Sequence, residues 1–289
     1  MPELRRDPIV GRWVIIATDR AKKPSELARP EPPPTPGLCP FCPGHEDKTP
    51  REVHVTGRAP GAPPNGPGWR VRVVPNRFPA LKIEGDLDRK ADGIYDLMNG
   101  IGAHEVVIET PDHGRPMKDL SEQELTEVLF AFKARMLDLR NDLRFRYILL
   151  FKNQGALAGA SLEHPHSQLI ALPITPRQVQ DEIDGARRHF EHRERCIFCD
   201  IVAQERKDRS RLVFENEEFL VFSPWAPRSP FETWIMPKRH ESNYEAEPKE
   251  RLGQCAAALR TTLRRMAVAL GNPSYNFIVH SNPLRDLPT

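Results

Sequence analysis

No apolar run in these 289 residues approaches the ~20 consecutive positions that cross a bilayer. The opening, MPELRRDPIVGRWVII, also lacks the long apolar core of a secretory leader. No membrane partner is expected, and the cytoplasm is the expected compartment. A dominant charge is missing as well: 42 basic side chains face 40 acidic ones, a formal charge of +2. A field that weak calls for no polyanionic polymer, so no nucleic acid partner is expected. Cysteine is scarce and odd in number, at five. Four of the five fall into two C-x-x-C pairs, Cys39 with Cys42 and Cys196 with Cys199, and in a reducing compartment such pairs suggest metal ligation before disulfides.

What is present describes a globular chain long enough for one large or two small domains, with 39% apolar residues to build a core. Prolines crowd residues 23–43 and 60–67, which read as ordered loop. RWVII, WRVRVV, HEVVIET, FRYILLFK and HSQLIALP read as strands. Between the third and fourth, Ser121 and Glu124 form a capping box, and Leu125, Val128, Leu129, Phe132, Met136 and Leu139 recur at helical spacing. A second helix is announced by Thr175 as cap, Pro176 at the first helical position and Gln178 closing a box. After CIFC come strands at RLVF, FLVFSP and FETWIMP, a helix from about Pro248 to Leu270 ended by Gly271-Asn272-Pro273, and a strand YNFIV.

The halves repeat an order. Each runs from C-x-x-C to a strand ending at asparagine (VVPN, VFEN), a strand ending near a histidine (His113, His240), a long helix, and a strand opening on tyrosine. Modules over 1–175 and 176–289 follow. His164 lies 51 residues after His113 and 17 after Tyr147; the same offsets from His240 and Tyr275 fall near 291 and 292, past Thr289. The second module is therefore expected to stop short of its own histidine pair.

GASLEHPHSQL, residues 159–169, sets two imidazoles about a proline. Structural zinc favours thiolate and imidazole, and Cys39, Cys42, His113 and His164 offer two of each. Taken alone, the cysteine pair also fits a redox couple or chance, and His113 a turn residue. If an ion ties down His164, Pro165 pre-aims His166, and a neutral imidazole is a good nucleophile at phosphorus and a good leaving group. Alternatively both rings merely cap the strand. Asn153, the glycines at 155 and 159, Ser161 and Gln168, on the strand face of His166, add uncharged donors suited to phosphate oxygens.

These segments, together with GRWVIIATDRAKKP, CPFC, VVPNRFPAL, HEVVIETPDH and PFETWIMPKRH, resemble the galactose-1-phosphate uridylyltransferases, the nucleotidyl-transferring branch of the histidine-triad superfamily, over nearly the whole chain. The resemblance implies an α+β fold of duplicated histidine-triad-like modules, antiparallel sheets with flanking helices, in a homodimer. It implies ping-pong chemistry in galactose metabolism: UDP-glucose uridylylates a histidine, glucose 1-phosphate leaves, and galactose 1-phosphate takes the uridylyl group. On matching positions His166 is the nucleophile, Gln168 contacts the phosphoryl group, and Ser161 and Asn153 bind phosphate. Arg20 and Lys23 serve the phosphate region, Asn76 lies in the uridine segment, and Cys39, Cys42, His113 and His164 hold zinc.

The chain departs from the family at Arg77 and Lys152, where some members carry acidic residues, and the sugar-binding segment that the resemblance implies beyond the second module is expected to fall outside these 289 residues. Cys196, Cys199 and His240 suggest a second metal, zinc or iron; Glu182 and His280 match a different metal site in some relatives, and the repeat favours the cysteine set. His45, His54, His104, His189 and His192 receive no chemistry, and Cys255 is read as packing. Two other functions compete: an adenylyl-transferring phosphorylase of ADP-glucose or dinucleoside polyphosphates, in which serine often replaces the middle proline, and a non-catalytic nucleotide-binding or zinc-scaffold protein of the same fold.

Overall fold

The computed structural model describes residues 3–11, 13–16 and 38–285. Expected residues Arg20 and Lys23 lie outside them. Thirteen strands are described, with α-helices α1 (Glu122–Leu139), α2 (Arg177–Arg193), α3 (Ile197–Asp208) and α4 (Lys249–Leu270).

One compact unit spans Glu31–Thr175, Asn243–Glu247 and Ser274–Thr289, and the other Met1–Pro30, Pro176–Ser242 and Pro248–Pro273. A cut falls after residue 175, but each unit is assembled from separated stretches and not from one continuous half. The first is built on a six-stranded antiparallel sheet ordered β13 (Tyr275–Val279), β8 (Tyr147–Gln154), β9 (His166–Leu172), β7 (Ala103–Ile108), β4 (Val71–Pro75), β3 (His54–Thr56). The tyrosine-led strand of the second repeat thus pairs with that of the first, Asn276 opposite Asn153. This pairing satisfies the backbone groups along the free edge of β8.

Helix α1 covers one face of this sheet. Ser121 accepts from the Glu124 amide while the Glu124 carboxylate accepts from the Ser121 amide, so both arms of the expected capping box form. All six residues of the expected apolar stripe are buried. At about 1.5–3 kcal/mol per buried large side chain, that stripe, not helix propensity, fixes the helix on the sheet. Arg135 reaches from it to Glu105 of β7 through bonds of 2.7 and 2.8 Å.

The other unit contains the antiparallel sheet β10 (Leu212–Glu215), β11 (Phe219–Phe222), β12 (Trp234–Pro237), packed by α3 and α4, and the antiparallel pair β1 (Glu3–Arg6), β2 (Trp13–Ile16). The repeated asparagines do the same local work: Asn76 Oδ1 accepts from the Phe78 amide, and Asn216 Oδ1 accepts from the Phe219 amide. Helix α2 departs from expectation. Pro176, not Thr175, is its N-cap, with no side-chain cap; Gln178 turns to Glu182. An extended backbone at Pro176 (ψ 142°) moves the start one residue on, so the expected box has the wrong frame. A hairpin, β5 (Lys90–Asp92) with β6 (Tyr95–Leu97), was not legible in the sequence. Among the described residues no helix is long and apolar enough to cross a membrane.

Candidate active site

Four side chains from three segments converge at one end of the six-stranded sheet. Cys39 and Cys42 sit on a tight turn in which the Cys42 amide donates to the Cys39 carbonyl and the His45 ring bonds that same carbonyl at 2.7 Å. His113 follows β7, and His164 precedes β9. Their ligand atoms all lie within 4.8 Å of one another. Sulfur-to-nitrogen separations are 3.7 Å for Cys39 to His164 Nδ1, 3.6 Å for Cys42 to His164 Nδ1 and 3.4 Å for Cys42 to His113 Nδ1. Zinc bonds of ~2.3 Å to sulfur and ~2.0 Å to nitrogen in a tetrahedron require an S···N edge of about 3.5 Å, so the donor set fits that ion.

The tautomer fits too. His164 Nε2 lies 2.8 Å from the Thr110 carbonyl, which can only accept, so the ring proton sits there and the Nδ1 lone pair faces the sulfurs. Burial pulls the His164 pKa below its ordinary value, favouring that neutral ring. Burial, with Cys39 alongside, pushes the Cys42 thiol up to about 11, so a cation is needed to hold it as thiolate.

Two residues on, the next imidazole is arranged the other way round. His166 opens β9 opposite Ile108 and is buried, at 6% exposure. Its Nδ1 lies 2.8 Å from the His164 carbonyl and must donate to it, which leaves the lone pair on Nε2. Burial depresses its pKa; the bond to the His164 carbonyl opposes this, and the Lys152 ammonium adds to it. Among the described residues no hydrogen bond occupies Nε2. Phe41, between the two cysteines, sets its ring edge-on to both imidazoles, with centroids 5.5 Å from His166 and 6.1 Å from His164.

Behind the strand that His166 opens lies a buried charged cluster. Lys152 Nζ donates to both Glu109 oxygens at 2.9 Å and to the His166 carbonyl at 3.0 Å, and Ser167 Oγ donates to Glu109 at 2.5 Å. Strand alternation accounts for it: Phe151 pairs with Gln168, so Lys152 projects to the opposite face from Asn153 and Gln168. The basic residue at 152 is therefore a partner of Glu109 and not a group on the Gln168 face.

Asn153 and Gln168 share the His166 face. Asn153 Oδ1 accepts from Asn276 Nδ2 at 2.7 Å, and Asn276 also donates to the Ala158 carbonyl. The loop from 155 to 163 turns through Gly155 (φ 84°) and Gly159 (φ 84°), a backbone region that side-chain-bearing residues avoid. Ser161 is exposed on that loop. Asn76 is brought to the same face by its backbone amide, which donates to the His104 carbonyl at 2.7 Å, and His104 Nε2 lies 3.1 Å from Asn76 Nδ2 and 2.8 Å from Gln168 Oε1. His104, Phe41, Glu109 and Asn276 went unassigned in the sequence. Only the register, which puts His104 opposite Ile170 and Val106 opposite Gln168, reveals that 104, 166 and 168 share a face.

The other unit holds Cys196, Cys199 and His240 with ligand atoms within 4.8 Å of one another, and Cys199 Sγ 3.2 Å from His240 Nδ1. Glu182 instead receives Arg228 and Gln178. Cys255 packs against Phe219, Val221 and Ala258, as expected. Arg77 lies over the Phe78 ring.

A sheet that offers a metal-ligand cluster, a buried imidazole whose Nε2 makes no hydrogen bond among the described residues, and carboxamides beside it suits a nucleotidyltransferase-type enzyme of the histidine-triad kind, the class that the family match supports. Residues 1–176 match the family described as galactose-1-phosphate uridyl transferase, N-terminal domain, and the chain belongs to that family. It is 35% identical to ADP-glucose phosphorylase of Arabidopsis thaliana, across 98% of this chain and 79% of that protein. It is 29% identical to galactose-1-phosphate uridylyltransferase of Thermotoga maritima, across 90% and 74%. The crystal structure of an Arabidopsis thaliana ADP-glucose phosphorylase with bound ADP-glucose superposes with a TM-score of 0.83 at 34% identity, covering 99% of this chain and 84% of that one.

Proposed function

We propose that the chain transfers the nucleoside monophosphate of UDP-glucose to hexose 1-phosphate, galactose 1-phosphate in the first instance, through a covalent uridylyl-His166. The observation that carries this is the division of hydrogen bonds at 164 and 166: one ring gives its proton to the Thr110 carbonyl and turns Nδ1 to the cysteines, the other gives Nδ1–H to the His164 carbonyl and keeps Nε2 free. In the first half-reaction the Nε2 lone pair forms a bond to the α-phosphorus, the bond from that phosphorus to the bridging oxygen breaks, and glucose 1-phosphate leaves with the electron pair. The positive charge that develops on the ring is spread to Nδ1–H, where the His164 carbonyl stabilises it. In the second, a phosphate oxygen of galactose 1-phosphate displaces the imidazole, which returns neutral. Gln168, Asn153 and Ser161 bind the phosphoryl oxygens, Arg20 and Lys23 add positive charge there, and Asn76 contributes to the nucleoside pocket.

Cys39, Cys42, His113 and His164 hold zinc, which supplies rigidity, fixing the carbonyl that orients His166. Cys196, Cys199 and His240 contribute to a second site for zinc or iron. The protein works as a homodimer in the cytoplasm; free cysteines throughout the described residues are compatible with a reducing compartment.

A second reading keeps the same nucleophile and changes the nucleotide: adenylyl transfer from ADP-glucose to orthophosphate. The 35% identity to an ADP-glucose phosphorylase over 98% of the chain favours it. Incubation with α-phosphate-labelled UDP-glucose and, separately, ADP-glucose tests both. The nucleotide that leaves acid-labile label on the protein and releases glucose 1-phosphate stoichiometrically is the donor. His166→Gly should abolish labelling at near-normal zinc content, and label from neither nucleotide would refute both readings.

A further inference from the structure

His104 is one of the five histidines that no expected role absorbed, and it stands between Asn76 and Gln168. Its Nδ1 accepts from the Ala80 amide at 3.1 Å. A backbone N–H can only donate, so that ring nitrogen carries the lone pair and Nε2 carries the proton. Nε2–H then has one acceptor within reach, Gln168 Oε1 at 2.8 Å. The alternative, an unprotonated Nε2, would leave the ring with two acceptor nitrogens. Asn76 does not compete: its Oδ1 is taken by the Phe78 amide at 2.9 Å, and its amide nitrogen, a donor, lies 3.1 Å from Nε2. Backbone geometry thus settles the orientation of Asn76 independently of the ring.

Gln168 has no such backbone partner. Its carboxamide can present either its oxygen or its NH2 to the His166 face, and only NH2 attracts a phosphoryl oxygen. We infer that His104 is a positioning residue for phosphoryl transfer: by donating Nε2–H to Gln168 Oε1 it holds the Gln168 NH2 toward the phosphoryl group that His166 attacks. The inference rests on the nucleotidyl-His166 reading above. The chain of command runs from a backbone amide, Ala80, through a tautomer, His104, to a rotamer, Gln168. Among the described residues Gln168 Nε2 makes no hydrogen bond to protein, which keeps that donor available to substrate.

The test is single-turnover labelling of the wild type with whichever nucleotide sugar reacts, compared with His104→Phe, His104→Gln and the pair with Gln168→Ala. Phe keeps a planar ring and loses the donor. Its labelling rate at saturating nucleotide should fall on the order of 10- to 100-fold, less than the roughly 100- to 1000-fold loss of a donor removed outright because the Gln168 NH2 remains but is no longer held, while the dissociation constant of the nucleotide sugar stays within about twofold, since Asn76 is held by its backbone bond. His104→Gln can return an amide N–H near the place of Nε2 and should recover most of the rate. In a Gln168→Ala background His104→Phe should have little further effect. Wild-type rate in His104→Phe, or rate losses that multiply with Gln168→Ala, would overturn the positioning role while leaving the His166 reading intact. Absence of label in the wild type would overturn both. Melting curves of the metal-loaded variants separate a rate loss from misfolding: a rate loss confined to variants that melt well below the wild type, with none restored by His104→Gln, also overturns the role.

Discussion

Replacing Lys152 with methionine removes a buried ammonium and keeps much of its volume. Lys152 and Glu109 are both fully buried, and Nζ makes three contacts, two with the Glu109 carboxylate and one with the His166 carbonyl. Methionine would leave the carboxylate without its countercharge, with only the Ser167 hydroxyl for relief. Breaking a buried pair from one side costs about 3–5 kcal/mol, whereas replacing both partners with neutral groups of similar volume costs far less. Urea unfolding of the metal-loaded protein should therefore show an unfolding free energy lowered by that amount, read as a lower midpoint at unchanged slope. Lys152→Met combined with Glu109→Gln should regain at least half the loss. The single variant should also label more slowly, because the His166 carbonyl loses the donor that fixes its strand from behind. A cost below about 1 kcal/mol for Lys152→Met, or a double variant as unstable as the sum of the singles, would refute the claim that this pair props the nucleophile.

Three further outcomes follow from the geometry. Asn276→Ala frees the Asn153 carboxamide oxygen, and single-turnover labelling should slow about tenfold, less than the roughly hundredfold or greater loss of a donor removed outright. Cys42→Ser should cost the protein its metal in the first site, measurable by elemental analysis; in the wild type, the raised Cys42 thiol must release its proton on binding, so zinc affinity should fall at least about tenfold per pH unit on acidification near neutrality. In the segment that follows the cysteine turn, burial of Glu52 works against its charge, but bonds from Arg58, the Asn65 amide and Arg72 outweigh it and hold the carboxyl down at about 2 against 4.5. A depressed carboxyl stabilises the fold above its unfolded pKa, so Glu52→Gln should cost about 3 kcal/mol at pH 7. That difference from wild type should vanish as pH falls from about 4.5 toward 2 in pH-dependent denaturation.

Much of this is legible in the sequence. The capping box at Ser121 and Glu124 is local, so three residues of spacing suffice to read it, and the apolar stripe of α1 follows from a single period. The two cysteines and two histidines could be matched by ligand chemistry, although 125 residues separate Cys39 from His164. What escaped depended on pairing between strands. His104 looks like any strand-edge histidine until β7 is set against β9, and Lys152 looks like a group on the site face until alternation sends it behind the sheet. Asn276 orients Asn153 only because the strand from the second repeat closes the edge of the first unit's sheet, a pairing that periodicity within either segment does not encode. The cap of α2 failed for a smaller reason: Thr175-Pro176 fits two frames one residue apart, and the backbone at Pro176 chooses the later one.

The most direct measurement is peptide mapping of protein quenched after a short exposure to UDP-glucose or ADP-glucose under alkaline conditions that preserve phosphoramidates. The account predicts one nucleotidyl adduct on the peptide that carries His164 and His166, located at Nε2 of His166 and chased off by hexose 1-phosphate or orthophosphate. An adduct on another residue, or none while nucleotide sugar is consumed, would contradict it.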